Sequence, residues 1–384
     1  MRVAFDASCL VTDTKSGVAY YTEGLIRHLA KQYPDDVELV GHYCNFIGRN
    51  KNINLPQAPN ITYRPTKIMP AKILNLLRRL RIWIPFEILI KGRADFHLFP
   101  AYIGWPSVYN TPSAPVIYDL TYIEHPEFMS TRAQHDLENI VPRTIKRSDF
   151  IVTISESSSH AIQKFYRLAS SQITITHVPP LDIKSMPDET AKQTLKPLGI
   201  LQPFILFLGN LEPRKNLLVL LDAYKSLAPD MRKKFALVIA GGKGWHDDEI
   251  QTALTEMQND GHNIILPGYV NDVQRAALFT NASAFVLPSH YEGFGMTLLE
   301  AMSYETPVLA SDIEIFHEVC GKAALYFDPS SPSQLKSRLD DVLNDKKAAG
   351  HLVKAGKQNL NRFSWDEVTS TIYKRLTKST QDKP

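Results

Sequence analysis

Residues 285–310 read FVL-PSHYEGFGMTLLEAMSYETP-VLA. A short β-branched and aromatic run ends at Leu287, a glycine-containing loop follows, a helical pattern starts near Met296, and a second apolar run begins at Val308. That is one strand–loop–helix–strand unit, and its length suits a parallel crossover. Gly293 and Gly295 let the chain turn tightly and approach a ligand, and the first-turn amides of the helix (Gly295, Met296, Thr297, Leu298) face outward with the positive end of the helix dipole behind them. The stretch predicts an anion site. Glu292 stands just before the loop and Glu300 lies within the helix, so one carboxylate meets one end of a phosphorylated ligand while the other accepts from hydroxyls further along. Two carboxylates beside a phosphate cradle suggest sugar hydroxyls; the bland alternative is a plain loop and a solvated Glu300.

The same rhythm extends outward in both directions. Strand candidates at 204–209, 235–241, 264–266 and 325–327 surround this unit, and a second set at 3–6, 37–42, 96–99, 116–119, 150–154 and 173–177 precedes it, with helix-length gaps throughout. The reading is an α/β chain with two doubly wound domains. Prolines at 179, 180, 187 and 197 mark a linker over 181–199, dividing a first domain, 1–180, from a second, 200–365, with a terminal helix and tail at 366–384. Ser364 is a plausible cap for that helix, whose apolar positions need a surface. Ligands are expected at the carboxyl ends of the strands, between the domains.

Before the helix that follows the 204–209 run stands Gly209-Asn-Leu-Glu-Pro-Arg-Lys-Asn216. Arg214 and Lys215 at a helix start oppose the dipole, so an anion between them would relieve the repulsion; the alternative is a solvated pair.

Composition limits the classes. The 384 residues, 44% hydrophobic and 22% charged, are those of a folded globular chain, and 43 basic against 40 acidic residues (net +3) argue against nucleic acid as a partner. Cys9, Cys44 and Cys320 lack metal-ligand spacing and read as small core residues in a reducing, cytoplasmic setting, with no disulfide. The amino terminus has no signal-peptide pattern, because Asp6 breaks its apolar run, and no stretch has the 18 consecutive apolar residues of a membrane span. The first 180 residues carry 20 basic and 15 acidic residues. Much of that excess lies in 67–93, where apolar residues interleave with lysines and arginines. One reading is a peripheral seat on an anionic membrane surface at its inner face; the other is a sheet-covering helix with a basic solvated edge.

Taken together, the Glu292-x7-Glu300 spacing, the intervening Gly-Phe-Gly, the Arg214-Lys215-Asn216 turn and the string from Glu318 to Pro329 resemble the retaining GT-B glycosyltransferases of family four. Ser16-Gly17-Val-Ala-Tyr-Tyr-Thr22, Asp119-Leu-Thr, Thr153-Ile-Ser-Glu156, Pro267-Gly-Tyr-Val270 and Phe363-Ser-Trp365 extend the resemblance over nearly the whole chain. It implies two Rossmann-like domains facing an interdomain cleft, with the carboxyl-terminal helix packing back on the first. The first domain would bind an acceptor, a glycan or lipid-linked glycan, and the second a nucleotide sugar.

Carried over, Lys215 and Arg214 neutralise the donor diphosphate beside Gly209 and Asn210, helped by the amides of Gly295, Met296, Thr297 and Leu298. Glu300 holds the ribose, Gly268, Tyr269 and Val270 line the base pocket, Glu292 with Gly293 and Phe294 meets the donor sugar, and Gly17 approaches the diphosphate from the first domain. On the acceptor side many relatives have a histidine before the aspartate, where this chain has Tyr118-Asp119; Tyr118 or Asp119 meets sugar or acceptor, or Asp119 is a strand-end cap. Relatives often have Arg where Asn210 stands, and Gly-x-Gly-Arg-Tyr-Thr where this chain has Gly-Val-Ala-Tyr-Tyr-Thr.

The implied activity is a retaining, metal-independent hexosyltransferase without cofactors. No Asp-x-Asp triplet occurs to hold a diphosphate-bound cation. The surroundings of Asp119 and the Gly241–Trp245 string resemble members using mannose or deoxyhexose donors, which favours GDP-mannose. An epimerase of the same fold and a non-catalytic nucleotide-sugar-binding subunit are the alternatives. A dehydrogenase is disfavoured because no Gly-x-Gly-x-x-Gly follows any strand candidate, and a P-loop enzyme is excluded by the absence of Gly-x4-Gly-Lys-Ser/Thr.

Overall fold

The computed structural model describes residues 1–12, 16–48, 55–67, 70–79, 82–180, 186–245 and 247–381. The chain forms two compact units. The first comprises Met1–Pro126, Thr131–Val178 and Phe363–Pro384, and the second Glu127–Ser130 and Pro179–Arg362.

The second unit is built on a six-stranded sheet in the order Ile264–Gly268, Ala236–Ala240, Phe204–Leu208, Ala282–Leu287, Val308–Ser311, Leu325–Phe327. Every pairing is parallel. A parallel sheet is covered on both faces by its crossover helices, so its strands read as unbroken apolar runs: FILFL at 204–208 and ALVIA at 236–240 are buried over nearly their full length. Winding starts at Phe204–Leu208, proceeds to one edge, then restarts on the other side of that strand at Ala282–Leu287. This is the Rossmann order, and its switch point lies where the two first-wound strands neighbour each other. The loops leaving them, 209–216 and 288–295, therefore diverge around a crevice at the carboxyl end of the sheet.

The first unit repeats the scheme with Ile61–Thr66, Glu38–Cys44, Arg2–Asp6, Phe96–Phe99 and Ser113–Pro115, again parallel. A pair formed by Ile151–Thr153 and Ile173–Ile175 continues it through the bridge between Val116 and Val152. Three expectations need correction. The strand placed at 116–119 is instead Ser113–Pro115, and only Val116 and the Ile117 amide reach Val152. The strand Ile61–Thr66, which contains Pro65, was absent from the sequence reading; it sits at the sheet edge, where a missing N–H is tolerated. The stretch expected to be linker, 181–199, holds the helix Asp188–Leu195, whose Ala191 and Leu195 are buried and which packs on the helix Asp272–Asn281 of the second unit; 181–185 lie outside the described residues.

The terminal helix, Trp365–Gln381, belongs to the first unit, as expected, although the unit boundary falls at 362/363. It lies on the helix Gly17–Gln32: Trp365 stacks on His28 at 5.1 Å, Tyr373 on Tyr33 at 3.9 Å, and Val368, Ile372 and Leu376 are buried. Gly24 is required there, since a Cβ would come within 2.1 Å of the Trp365 ring. Among the described residues no helix is long and apolar enough to cross a membrane, no cluster of three His, Cys, Asp or Glu side chains could hold a metal, and the three cysteines are unbridged.

Candidate active site at the switch point of the second unit

The loop 209–216 is braced from below by the loop after the neighbouring strand. Gly241 adopts φ +150°, and a Cβ on it would sit 1.9 Å from the Gly209 carbonyl, so the two loops run backbone against backbone. The Leu211 amide donates to the Gly242 carbonyl at 3.1 Å. Pro213 opens a single 3-10 turn, Pro213–Lys215, and Asn216 ends it in the left-handed conformation (φ 53°, ψ 43°). Its side-chain amide donates to the Pro288 carbonyl at 3.0 Å and the Pro329 carbonyl at 2.7 Å, while the His290 amide donates to the Arg214 carbonyl at 2.8 Å. Both switch-point loops are thereby tied together, with Arg214 and Lys215 directed at Glu292.

Glu292 is buried, and three side chains donate to it. Arg214 reaches Oε2 at 2.6 Å, while Lys215 Nζ and Ser289 Oγ (2.9 Å) share Oε1. Arg214 also contacts the Tyr291 carbonyl and Glu212, whose other oxygen accepts from Asn210 at 3.3 Å. Burial pushes the Glu292 carboxyl up, but Arg214 and Lys215 outweigh it and bring it down to about 2, so it is ionised. Burial and then Arg214 hold the Lys215 ammonium below its usual value against the pull of Glu292. The anion that relieves two cations at a helix start, sought in a ligand from sequence, is therefore supplied within the protein by Glu292.

Beyond Glu292 the loop turns through Gly295 (φ 92°), where a Cβ would meet Phe316 at 2.9 Å and Leu298 at 3.0 Å. The helix Met296–Ser303 begins there without a side-chain cap. Of the four amides assigned to a diphosphate, that of Leu298 donates back to the Gly295 carbonyl at 3.0 Å. Phe294 is buried, leaving its backbone as the part able to meet a ligand.

Glu300 does not join the Arg214–Lys215–Glu292 cluster. It is 2% exposed, and Oε1 lies 3.7 Å from Arg275 Nη1 while Oε2 is buried with no hydrogen-bond partner among the described residues. Burial raises its pKa more than Arg275 lowers it. A buried acceptor without a donor is costly. Gly268 takes φ 73° at the end of its strand and its carbonyl accepts from the Gly241 amide at 2.9 Å; Tyr269 beyond it is exposed and Val270 buried.

In the first unit, Gly17 is the first residue of the helix capped by Ser16, whose hydroxyl accepts from the Ala19 amide at 3.3 Å. Tyr118 is buried with its hydroxyl donating to the Pro100 carbonyl at 2.7 Å, which removes it as a polar contact to sugar or acceptor. Asp119 Oδ1 accepts from the Thr121 amide (3.1 Å), the Thr121 hydroxyl (2.9 Å) and the Tyr102 hydroxyl (3.1 Å), an Asx-turn at the start of the helix Thr121–Glu124 and not a strand-end cap, because the strand ends at Pro115.

Arg275, Asn216 and Ser289 had been given no role from sequence. Asn216 had a signal, being one of the residues best able to hold a left-handed turn before a helix. Arg275 had none, since only the winding of the sheet brings it to Glu300.

Residues 192–359 match the family model described as "Glycosyl transferases group 1". The chain is 26% identical over 367 residues to the O-antigen chain mannosyltransferase B of Escherichia coli, covering 92% of this chain and 94% of that one. It is 23% identical over 308 residues to the serotype-specific mannosyltransferase WbdA of Escherichia coli, covering 76% of this chain but only 37% of WbdA. Among solved structures, Anabaena HepE in complex with UDP and glucose superposes with a TM-score of 0.70 at 14% identity, covering 98% of this chain and 100% of that one. Over residues 192–359 the chain is similar to the glycosyl transferases group 1, and its two Rossmann-like units have the GT-B fold.

Proposed function

We propose that the protein transfers a hexose from a nucleotide sugar to a glycan or lipid-linked glycan with retention of anomeric configuration and without a metal, and that the donor is GDP-mannose. The observation that carries this reading is the ionised, buried Glu292 clamped by Arg214 and Lys215 immediately before the uncapped start of the helix Met296–Ser303. The names of the relatives favour mannose.

In the proposed reaction the donor diphosphate lies against Arg214, Lys215 and the amides of Met296 and Thr297, and Glu300 Oε2 accepts from a ribose hydroxyl. The bond from the anomeric carbon to the diphosphate oxygen breaks as an oxocarbenium-like centre develops. The acceptor oxygen then bonds to the anomeric carbon on the face the diphosphate leaves, and its proton passes to the departing diphosphate. Glu292, ionised, supplies negative charge beside the developing cation and fixes the two cations before substrate arrives; such groups stabilise a transition state without reorganising. Asn210, Gly209 and Gly293 shape the backbone around this diphosphate, and Gly268, Tyr269 and Val270 flank the base.

A thermal-shift panel of GDP, UDP and dTDP sugars tests the donor, because a ligand bound only by the folded state raises its melting temperature. GDP-mannose is expected to give the largest shift, and a larger shift with another nucleotide class would reject it. Turnover after exhaustive chelation is expected to be unchanged. Epimerised sugar formed from donor alone would replace the transferase reading with the epimerase, and binding without turnover on any glycan acceptor would replace it with the binding subunit.

A further inference from the structure

The first unit carries an apolar surface that its own core does not use. The helix Ala71–Arg79 buries Leu74 in a cluster with Phe86, Leu89, Ile90 and Trp105, while Ile73 and Leu76, three residues apart and so on one helix face, are 45% and 54% exposed. The short helix Phe86–Ile90 behaves alike: Phe86, Leu89 and Ile90 enter the same cluster and Ile88 is 61% exposed. Two neighbours extend this surface. The loop after Pro106 is fastened to the short helix by the Phe86 amide donating to the Pro106 carbonyl (2.9 Å) and the Val108 amide donating to Glu87 Oε2 (3.2 Å), and it exposes Val108 and Tyr109. Arg93 lies over the Tyr109 ring at 3.9 Å.

The exposed charges of the described residues of 67–93 have one sign. Lys67, Lys72, Lys91 and Arg93 are exposed, and Arg78, Arg79 and Arg81 add three more basic residues in sequence; the position of Arg81 and of Leu80 lies outside the described residues. Glu87 is the one acidic residue of 67–93, and it is turned inward, accepting from Ser107, the Val108 amide and Thr111. A second copy of the chain would bring the same cations face to face, whereas an anionic bilayer offers headgroups to the lysines and arginines and an acyl boundary to the isoleucines and leucine.

We propose that this face, centred on Ile73, Leu76 and Ile88, is a docking surface for an anionic lipid bilayer, entered by the apolar side chains and held by the surrounding cations. The surface is independent of which sugar the second unit handles, so its test does not depend on turnover.

The experiment is co-sedimentation of the full chain with vesicles of phosphatidylcholine alone or with about a third phosphatidylglycerol, at about 0.1 M and 0.5 M salt. The wild-type protein is expected to partition onto the anionic vesicles at least tenfold more strongly than onto the neutral ones, and less at the higher salt. Leu76→Asp combined with Ile88→Asp is expected to lower that partition by roughly tenfold or more, since each change removes an inserted apolar side chain. Lys72→Glu combined with Lys91→Glu, at exposed positions, lowers it without touching the apolar contacts, and Leu201→Asp, an exposed apolar position of the second unit, leaves it unchanged. Equal binding to both vesicle types, or undiminished binding by both double variants, overturns the proposal. A dimer in sedimentation velocity that Leu76→Asp/Ile88→Asp dissolves, without vesicle binding by the wild type, assigns the face to a second copy instead.

Discussion

Seven residues of sequence separate Glu292 from Glu300, and the fold drives their carboxyl groups in opposite directions: two cations bring the first down to about 2, while burial beside a more distant arginine raises the second. The signs differ for stability. A depressed carboxyl stabilises the fold above its unfolded value and loses that contribution as pH falls toward its folded value. The urea midpoint of the wild type should therefore drop between about pH 4.5 and 2 more steeply than that of Glu292→Gln. At neutral pH Glu292→Gln should lower kcat by about a hundredfold or more with nucleotide affinity unchanged or improved, because the released cations remain available to the diphosphate; kinetics with calorimetric titration separate the two. Glu300 carries the reverse sign, its contribution being present below its unfolded value and lost as pH rises through its raised one. Glu300→Gln should thus melt no lower than the wild type at pH 8 while binding nucleotide about tenfold more weakly, from the loss of a charged acceptor.

At the level of single elements, the turn 213–216 and the loop 288–295 are held by two backbone conformations that most residues resist. Gly295→Ala places a methyl against Phe316 at φ 92° and should cost about 1–3 kcal/mol in urea unfolding. Asn216→Ala loses two hydrogen bonds and leaves a left-handed alanine, for about 2–3 kcal/mol; Asn216→Gly removes the bonds but not the conformation and should lose less. These same elements show how far the sequence could be read. Gly293, Gly295 and the apolar runs around them declare strand, loop and helix through local chemistry, whereas the pairing of Glu292 with Arg214 and Lys215, 78 and 77 positions away, is made by the fold. The strand Ile61–Thr66 was hidden because Pro65 argues against a strand unless its edge position is known. The strand Ser113–Pro115 was displaced because Val116, Ile117 and Leu120 are buried like strand residues without joining a full ladder. The helix Asp188–Leu195 was masked by the prolines around it, one of which, Pro187, is its N-cap residue. The partnership of Arg275 with Glu300 depends on tertiary winding, which no local pattern encodes.

On the scale of the whole molecule, both sheets start at a central strand, wind to one edge and restart on the other side, and that common order could not be read from strand candidates alone, because periodicity reports elements and not neighbours. The first unit is moreover discontinuous. Deleting 363–384 should lower the melting transition of that unit and spare the second, resolved by calorimetry, since Trp365, Val368, Ile372 and Leu376 are buried on the first. The same discontinuity sets an order of events at the ribosome. The sheet of the first unit emerges before the second unit, yet the helix that covers Gly24 and His28 is translated only after that unit, an interval of roughly ten to forty seconds at ordinary elongation rates. During it the helix Gly17–Gln32 waits uncovered while the second unit, almost wholly contiguous in sequence, completes itself, so the unit begun earlier is finished later.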